Sequence, residues 1–488
     1  MTMPELRPLQ LHDVQRAASK PPRYIRPTDL EAVLDLLAEH GERARIIAGG
    51  TDLIVELDRG MRPDLETLID LSSIDGLDSI HQSRHGIHLG PLVTHNQCVA
   101  SELVRSLALP LAQACWEIGS PALRNRATVV GNIVTASPAN DSLSALVALD
   151  AQVSIASTRG IRSVSVADFT TGVRSTVLAP DELVTGLLVP VSSDGSELDR
   201  RGVYLKLGLR RAQAISVVHL AVSLSIGANG DVSDSRVVLG SVAPTVGRIE
   251  AAESLLDGSH VTDGVIDGDV LASVADAAAT AVSPIDDLRA TADYRVDQIA
   301  GMVRRALVAL AAGTHAQAFP SAPPMIGGPA VPVSGITGEW TDGALLEMSV
   351  DGAFVAAPWK PVTLLHWLRD EADITTTKEG CSEGECGACT VRLDGTSVLS
   401  CLVPAGRAAG SKVTTAAGVG TEADLAPIQQ AFVQAAAVQC GFCIPGFIVA
   451  ADALQAEFPS PSDEQIKQGL AGNLCRCTGY YKIEEAVR

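Results

Sequence analysis

Eight of the ten cysteines in this chain fall between Cys381 and Cys477, and only Cys98 and Cys115 lie before them. That crowding constrains the fold more than any other feature. A disulfide framework spreads over the chain it staples, whereas a metal site gathers its ligands. Ten cysteines would also be many for a reducing compartment unless most hold metal.

Cys381, Cys386, Cys389 and Cys401 follow the spacing C-x4-C-x2-C-x11-C, the plant-type arrangement for a 2Fe-2S cluster, in which three ligands come from one tight loop. Gly380, Gly384, Gly387 and Ala388 surround them, and small residues let backbone N–H groups approach the sulfides. A second set pairs Cys440 with Cys443 as C-x2-C and Cys475 with Cys477 as C-x-C. Pro445 and Gly446 follow closely, so the first pair is expected at a helix start, where the dipole and free N–H groups stabilise thiolates. The alternative is two structural zinc sites of four cysteines each. Zinc ribbons pair C-x2-C with C-x2-C, a habit that neither the three-cysteine loop nor the C-x-C pair follows.

At 488 residues the chain is too long for one core, and about three or four units are expected. The net charge of −20 repels phosphate backbones and anionic headgroups, which argues against nucleic acid and membrane partners. Met1 to Lys20 contains no apolar core segment of the signal-peptide kind, and the best apolar run, Cys440 to Ala451, contains Pro445. A soluble, cytoplasmic protein is expected.

Phe319 to Gly338, dense in Pro, Gly, Ser and Ala, reads as a flexible linker. Upstream, Thr28 to Glu39 reads as an amphipathic helix capped by Thr28, followed by a strand over Arg45 to Ala48. Arg201 to Leu239 reads as a strand meander, and Asp293 to Ala312 as a long helix closed by Gly313. Downstream, strands over Leu345 to Val350 and Thr390 to Leu393 flank a helix over Thr363 to Arg369. Helices are then expected over Asp424 to Val438, Gly446 to Glu457 and Ser462 to Ala471.

Glu379 to Gly395 (EGCSEGECGACTVRLDG), Gln439 to Gly446 (QCGFCIPG) and Asn473 to Tyr480 (NLCRCTGY) resemble the iron-sulfur subunit of the molybdenum hydroxylases, the family of xanthine, aldehyde and carbon monoxide dehydrogenases. The resemblance covers Gly343 to Arg488. It implies that the first four cysteines hold the outer cluster and the second four the cluster nearest the molybdenum cofactor. Gln439 matches a residue that contacts the pterin of the partner.

Upstream, Ile46 to Leu53 (IIAGGTDL) places Gly49 and Gly50 where a strand turns, and backbone N–H groups at such a turn cradle pyrophosphate. With Arg124 to Asp141 (RNRATVVGNIVTASPAND), Pro180 to Pro190, Tyr204 to Arg211, Gly240 to Arg248 and Tyr294 to Ala306, it resembles the FAD-binding subunit of the same family. The resemblance implies that Ile46, Ile47, Ala48, Gly49, Gly50, Thr51, Asp52 and Leu53, with Thr128 to Asn132, among them Gly131, line the FAD phosphates. Asp141 is to hold sugar or linker hydroxyls. Ile118, Val184 and Lys206 lie close to the flavin ring, and Lys206 is the catalytic candidate. Val130 departs from the family pattern, which has glycine there.

The architecture so implied is an α+β multidomain chain. Its expected parts are an FAD-binding domain (22–196), its α+β C-terminal subdomain (197–312), a linker (313–342), a plant-ferredoxin-like β-grasp domain (343–420) and a helical-bundle 2Fe-2S domain (421–488). The flavin module precedes the iron-sulfur module, the reverse of the order in single-chain xanthine dehydrogenases. Lacking the molybdenum-binding portion, the chain is expected to pair with a large subunit that carries the molybdenum-pterin cofactor, as a heteromer, a dimer of heterodimers, that passes electrons to NAD or another acceptor. An N-heterocycle such as a purine suits the AGGTD form of the flavin motif better than the carbon monoxide branch, where His commonly replaces Thr51. An aldehyde remains open, as does a zinc-stabilised scaffold without redox activity.

No G-x-G-x-x-G fingerprint or Walker A loop is present. His81, His85 and His88 are read as exposed and unpaired, and Cys98 and Cys115 as small core residues on helices.

Overall fold

The computed structural model describes residues 22–191, 198–327, 336–341 and 344–488. Two compact units emerge: Met1–Ile74 with Val331–Asp452 and Asn473–Ala486, and Asp75–Ala330 with Ala453–Gly472 and Val487–Arg488. The N-terminal stretch Met1 to Lys20 lies outside the described residues, as do the expected boundaries at 196/197 and 342/343. No helix among the described residues is long and apolar enough to cross a membrane.

In the first unit the strands Arg23–Arg26, Thr67–Asp70 and Ala44–Ile47 run parallel in that order. The helix Leu30–His40 buries Val33 and Leu37 beside them. Asp29, not Thr28, caps it: the Asp29 carboxylate accepts the Ala32 N–H at 2.9 Å, and the Thr28 hydroxyl donates to that carboxylate instead. Asp29 has the extended backbone of an N-cap, and aspartate ranks above threonine at that position.

The expected flexible linker needs correction at both ends. Gly338–Trp340 adds an antiparallel strand against Arg23–Arg26, with Tyr24 opposite Trp340 and an Arg23–Glu339 ion pair at 2.7 Å. At the other end, in the second unit, the Met325 and Ile326 N–H groups donate to the Glu457 carboxylate at 3.0 and 2.8 Å. Its middle, 328–335, lies outside the described residues.

The first unit also contains a mixed five-stranded sheet, ordered Ala353–Pro358, Leu345–Val350, Lys412–Thr414, Thr390–Leu393, Thr396–Leu399. Leu345–Val350 and Lys412–Thr414 are its parallel pair, and the rest are antiparallel. This is the expected β-grasp pattern. The helix read over Thr363 to Arg369 is a single turn, Leu364–His366, running on as a π turn to Glu371 around the fully buried Trp367. The expected later helices are Pro427–Gln434, Ile444–Glu457 and Asp463–Gly469, and a fourth, Tyr481–Val487, was not anticipated.

The second unit has two large antiparallel sheets beside two small two-stranded ones. One runs Ile80–Ser83, Gly86–Leu89, Leu183–Pro190, Gln152–Ser157, Gly160–Ser165, and shares a core with the helices His95–Ala100, Leu109–Trp116, Val129–Thr135 and Asp141–Ala148. Cys98 and Cys115 sit in that core, as expected. The other is the predicted meander, Asp199–Gly208, Ser216–Ile226 and Val232–Gly240, ending in Gly247–Arg248. Across it lies the long helix Ala292–Ala311, which buries Ile299, Met302, Val303, Leu307 and Leu310. Each of these side chains contributes about 1.5–3 kcal/mol of apolar burial. Gly313, at φ 68°, takes the left-handed conformation that ends the helix.

Candidate functional site

Every proposed cluster cysteine lies in the first unit. The loop from Cys381 curls through left-handed glycines, Gly384 at φ 81° and Gly387 at φ 70°. That curl turns the N–H groups of Glu383, Glu385 and Cys386 onto the Cys381 sulfur at 3.3–3.4 Å. A side chain at Gly380 would stand 2.7 Å from the Cys386 sulfur. The Cys386 thiol first, and then those three N–H groups against the opposing effect of burial, hold Cys381 down at about 5.

The eight sulfurs meet in four pairs. The side chains of Cys381 and Cys386 interact, as do those of Cys389 and Cys401. Cys440 is paired with Cys477, and Cys443 with Cys475. Two thiolates for each of two metals is the ligand distribution of a binuclear centre, while a zinc site draws four onto one ion. The cysteines therefore fit two 2Fe-2S clusters.

In the second set Cys475 is lowered while Cys443 is raised. Burial raises Cys475, but the Thr478 hydroxyl at 3.1 Å and the Thr478 N–H at 3.4 Å bring it below the ordinary thiol range. Cys443, just before the helix Ile444–Glu457, is pushed up to about 12, by burial first and then by its bond to Cys475.

The two cluster loops are bonded to each other. The Leu474 N–H donates to the Cys386 carbonyl at 3.0 Å, and the Asn473 amide to the Gly387 carbonyl at 3.1 Å. Gly446 is packed so closely that an added Cβ would lie 2.1 Å from the Gly387 oxygen. Gln439, Cys440 and Cys477 are exposed, whereas Cys389 and Cys401 are buried.

The flavin motifs divide between the units. In the first, the strand Ala44–Ile47 runs into buried Gly49 and Gly50, and Asp52 opens the short helix Leu53–Asp58. Gly50 has φ 83°, and a Cβ there would stand 3.1 Å from the Leu402 carbonyl oxygen, so this turn admits backbone only. That is a cradle of the kind a pyrophosphate needs. In the second unit, Thr128 caps the helix Val129–Thr135 by accepting the Gly131 N–H at 2.9 Å. The Asn132 side chain accepts from Ser142 at 2.5 Å. Val130, the departure from pattern, points into the core and is 6% exposed.

Asp141, expected to hold cofactor hydroxyls, holds protein hydroxyls. Its Oδ1 accepts from Tyr204 and Ser216, both at 2.5 Å, and its Oδ2 from Lys206 at 2.8 Å. Lys206 also donates to the Glu117 carbonyl at 2.9 Å, so two of its three N–H donors are engaged by the protein. Tyr204 and Ser216 escaped the sequence reading. Tyr204 lies two residues before Lys206 on one strand, hence on the same face, and that spacing was the available signal. Ile118 is half-buried beyond the helix Leu109–Trp116, and its carbonyl accepts from Arg124 at 3.2 Å. Val184 is buried where the strand Leu183–Pro190 bulges.

The three histidines are not unpaired. Strand pairing sets His81 opposite His88, their rings stack at 4.9 Å, and His88 hydrogen-bonds Ser83 at 2.8 Å. Arg84 donates to His85 at 3.0 Å.

Residues 16–192 match the family model described as the FAD binding domain in molybdopterin dehydrogenase. Residues 203–310 match the CO dehydrogenase flavoprotein C-terminal domain, and residues 415–488 the 2Fe-2S binding domain. Over 125 residues, 26% of this chain and 80% of the relative, the sequence is 51% identical to the nicotinate dehydrogenase small FeS subunit of Eubacterium barkeri. The chain belongs to the molybdenum hydroxylase family. This molybdenum hydroxylase chain is also 44% identical, over 29% of its length and 91% of the relative, to the xanthine dehydrogenase iron-sulfur-binding subunit of Escherichia coli O157:H7. Carbon monoxide dehydrogenase from Hydrogenophaga pseudoflava matches 60% of it over 98% of the solved chain, with a TM-score of 0.54 and 31% identity. The molybdenum hydroxylase FAD-binding and 2Fe-2S domains, its electron-transfer parts, are thus fused in one polypeptide.

Proposed function

We propose that this chain relays electrons from the molybdenum-pterin cofactor of a large partner subunit, through the two clusters, to FAD and on to NAD or another acceptor, in the cytoplasm. The substrate oxidised by the partner is an N-heterocycle such as a purine, as in xanthine dehydrogenase. The observation that carries this reading is the bonding of one cluster loop to the other, with Cys440 and Cys477 of the second set exposed and the segment after Cys401 of the first closing on Gly50 of the Gly49–Gly50 turn. Exposure of Gln439, Cys440 and Cys477 suits a partner that brings its cofactor to the second cluster. Contact of the first cluster's segment with the turn suits onward transfer to the flavin.

When bound, FAD supplies the exchange between single electrons from the clusters and an electron pair for the acceptor. Ile46 to Leu53 and Thr128 to Asn132 are its proposed phosphate contacts, with Ile118 and Val184 toward the ring. Lys206, held beside Asp141, is the proposed catalytic side chain. The proposed assembly is a dimer of heterodimers.

Thr51, in place of the His common to the carbon monoxide branch, favours the heterocycle reading, and the names of the nicotinate and xanthine relatives are consistent with it. Co-purification with the natural partner, followed by assays on hypoxanthine, nicotinate and an aldehyde, tests it; turnover of the aldehyde alone would replace it. Iron near about four per chain, with a flavin band, separates the relay from a zinc scaffold.

A further inference from the structure

The strands Arg23–Arg26, Thr67–Asp70 and Ala44–Ile47 are parallel, so their carboxyl ends share one edge of the sheet. Ligands of open α/β sheets collect at such edges. Arg26, Asp70 and the Ala48–Gly49–Gly50 turn all stand there. Asp70 is fully buried, accepts from the Tyr24 hydroxyl, and takes the Ser72 N–H at 2.9 Å. Burial pushes its carboxyl up, yet the guanidinium of Arg407, followed by that of Arg26, brings it below the usual carboxylate value.

Arg407 arrives from the ferredoxin-like domain, on the 3-10 turn Ala405–Ala408, shortly after the cluster ligand Cys401. One of its nitrogens, Nη1, donates to the Ala48 carbonyl and stands 3.4 Å from Asp70 Oδ1. From the same segment the Leu402 carbonyl closes against Gly50. A trans peptide is planar, and its C=O and N–H point in opposite directions. Fixing the Ala48 oxygen toward Arg407 therefore fixes the direction of the Gly49 N–H away from it. Neutralising Asp70 alone would not need the bond to Ala48.

We propose that Arg407 is a positioning residue for the flavin: by gripping the Ala48 carbonyl and the Asp70 carboxylate together, it sets the Ala48–Gly49 peptide to receive the FAD pyrophosphate. Flavin affinity in this fused chain thereby depends on the domain that carries the first cluster. The inference rests on the reading that Ile46 to Leu53 lines the FAD phosphates.

The test uses the full chain, deflavinated and titrated with FAD by fluorescence quenching, with iron content and the electron-spin signals of both reduced clusters measured in parallel. Arg407→Met is expected to weaken FAD binding roughly tenfold to a hundredfold, the range for loss of a charged hydrogen bond. Both cluster signals should persist, and Arg407→Lys should recover part of the loss. Unchanged FAD affinity in Arg407→Met, or loss of flavin only in step with the clusters, overturns the proposal. If Arg407→Met does not accumulate as folded protein, Arg407→Lys decides: weakened FAD binding with both cluster signals intact supports the role, and wild-type affinity refutes it. Thr51→Asp, which places a carboxylate on the turn itself, separates the two layers. If Thr51→Asp lowers affinity and the Arg407 variants do not, only the role of Arg407 fails; if none lowers it, the phosphate reading of the turn fails as well.

Discussion

Lys206 donates to Asp141 at 2.8 Å with both side chains more than nine-tenths buried. The lysine comes from the strand Asp199–Gly208 and the aspartate from the first residue of the helix Asp141–Ala148, so the pair ties the meander to the helical layer of the second unit. Tyr204 and Ser216 complete the shell around the carboxylate.

Removing one partner leaves the other charged and unpaired. Lys206→Met is therefore expected to destabilise the second unit by about 3–5 kcal/mol. Lys206→Met combined with Asp141→Asn should regain a large part, because no bare charge remains. Calorimetric melting of the three proteins checks this, and an unchanged midpoint in Lys206→Met would refute a buried ion pair.

Cys477→Ser removes one of the four proposed ligands of the second cluster. Iron should fall from about four to about two per chain, with one reduced-cluster signal gone. Substrate-driven flavin reduction through the partner should stop, while any direct reduction of FAD by a nicotinamide donor continues. Equal loss of both activities would reverse the assigned cluster order.

Gly446→Ala places a methyl where the Gly387 oxygen stands 2.1 Å away, between two backbones that cannot swing aside. The loop of the first cluster must shift, although the mutated residue belongs to the second. Electron-spin spectra of the reduced protein should change for the Cys386/Cys389 cluster as well as for its neighbour. A change confined to the second cluster would mean that the loops are not packed together.

Burial first, and the Arg124 guanidinium second, press the His95 imidazole down to about 3 from its ordinary 6.5. The folded protein keeps it neutral through a window in which the unfolded chain takes up a proton. Its contribution to stability is complete above pH 6.5 and is lost as pH falls toward 3, by about 1.4 kcal/mol per unit. Wild type should lose about 2 kcal/mol more than His95→Gln between pH 6.5 and 5. His219 is also depressed, by burial, but titrates alike in both proteins and cancels. A pH-independent difference in melting would overturn the assignment.

Local patterns were the legible part. The meander, the long helix closed by Gly313 and the β-grasp strands follow from side-chain period and turn residues near in sequence. The linker was misread at its ends because a Pro- and Gly-rich composition reports low intrinsic order, and says nothing of an open sheet edge that the segment completes. Histidines 81 and 88 looked solitary because their contact is set by strand register, which places residues opposite each other across a hairpin.

Two binuclear iron-sulfur sites could be read from the polypeptide alone, because the number and spacing of thiolate ligands is chemistry written within short stretches. Folding decided the rest: which cysteines lie side by side, that Asn473 and Gly446 lock one cluster loop to the other, and that Arg407 reaches back to Ala48. Those contacts join residues far apart along the chain, and their partners are chosen by sheet register and packing, which no local spacing encodes.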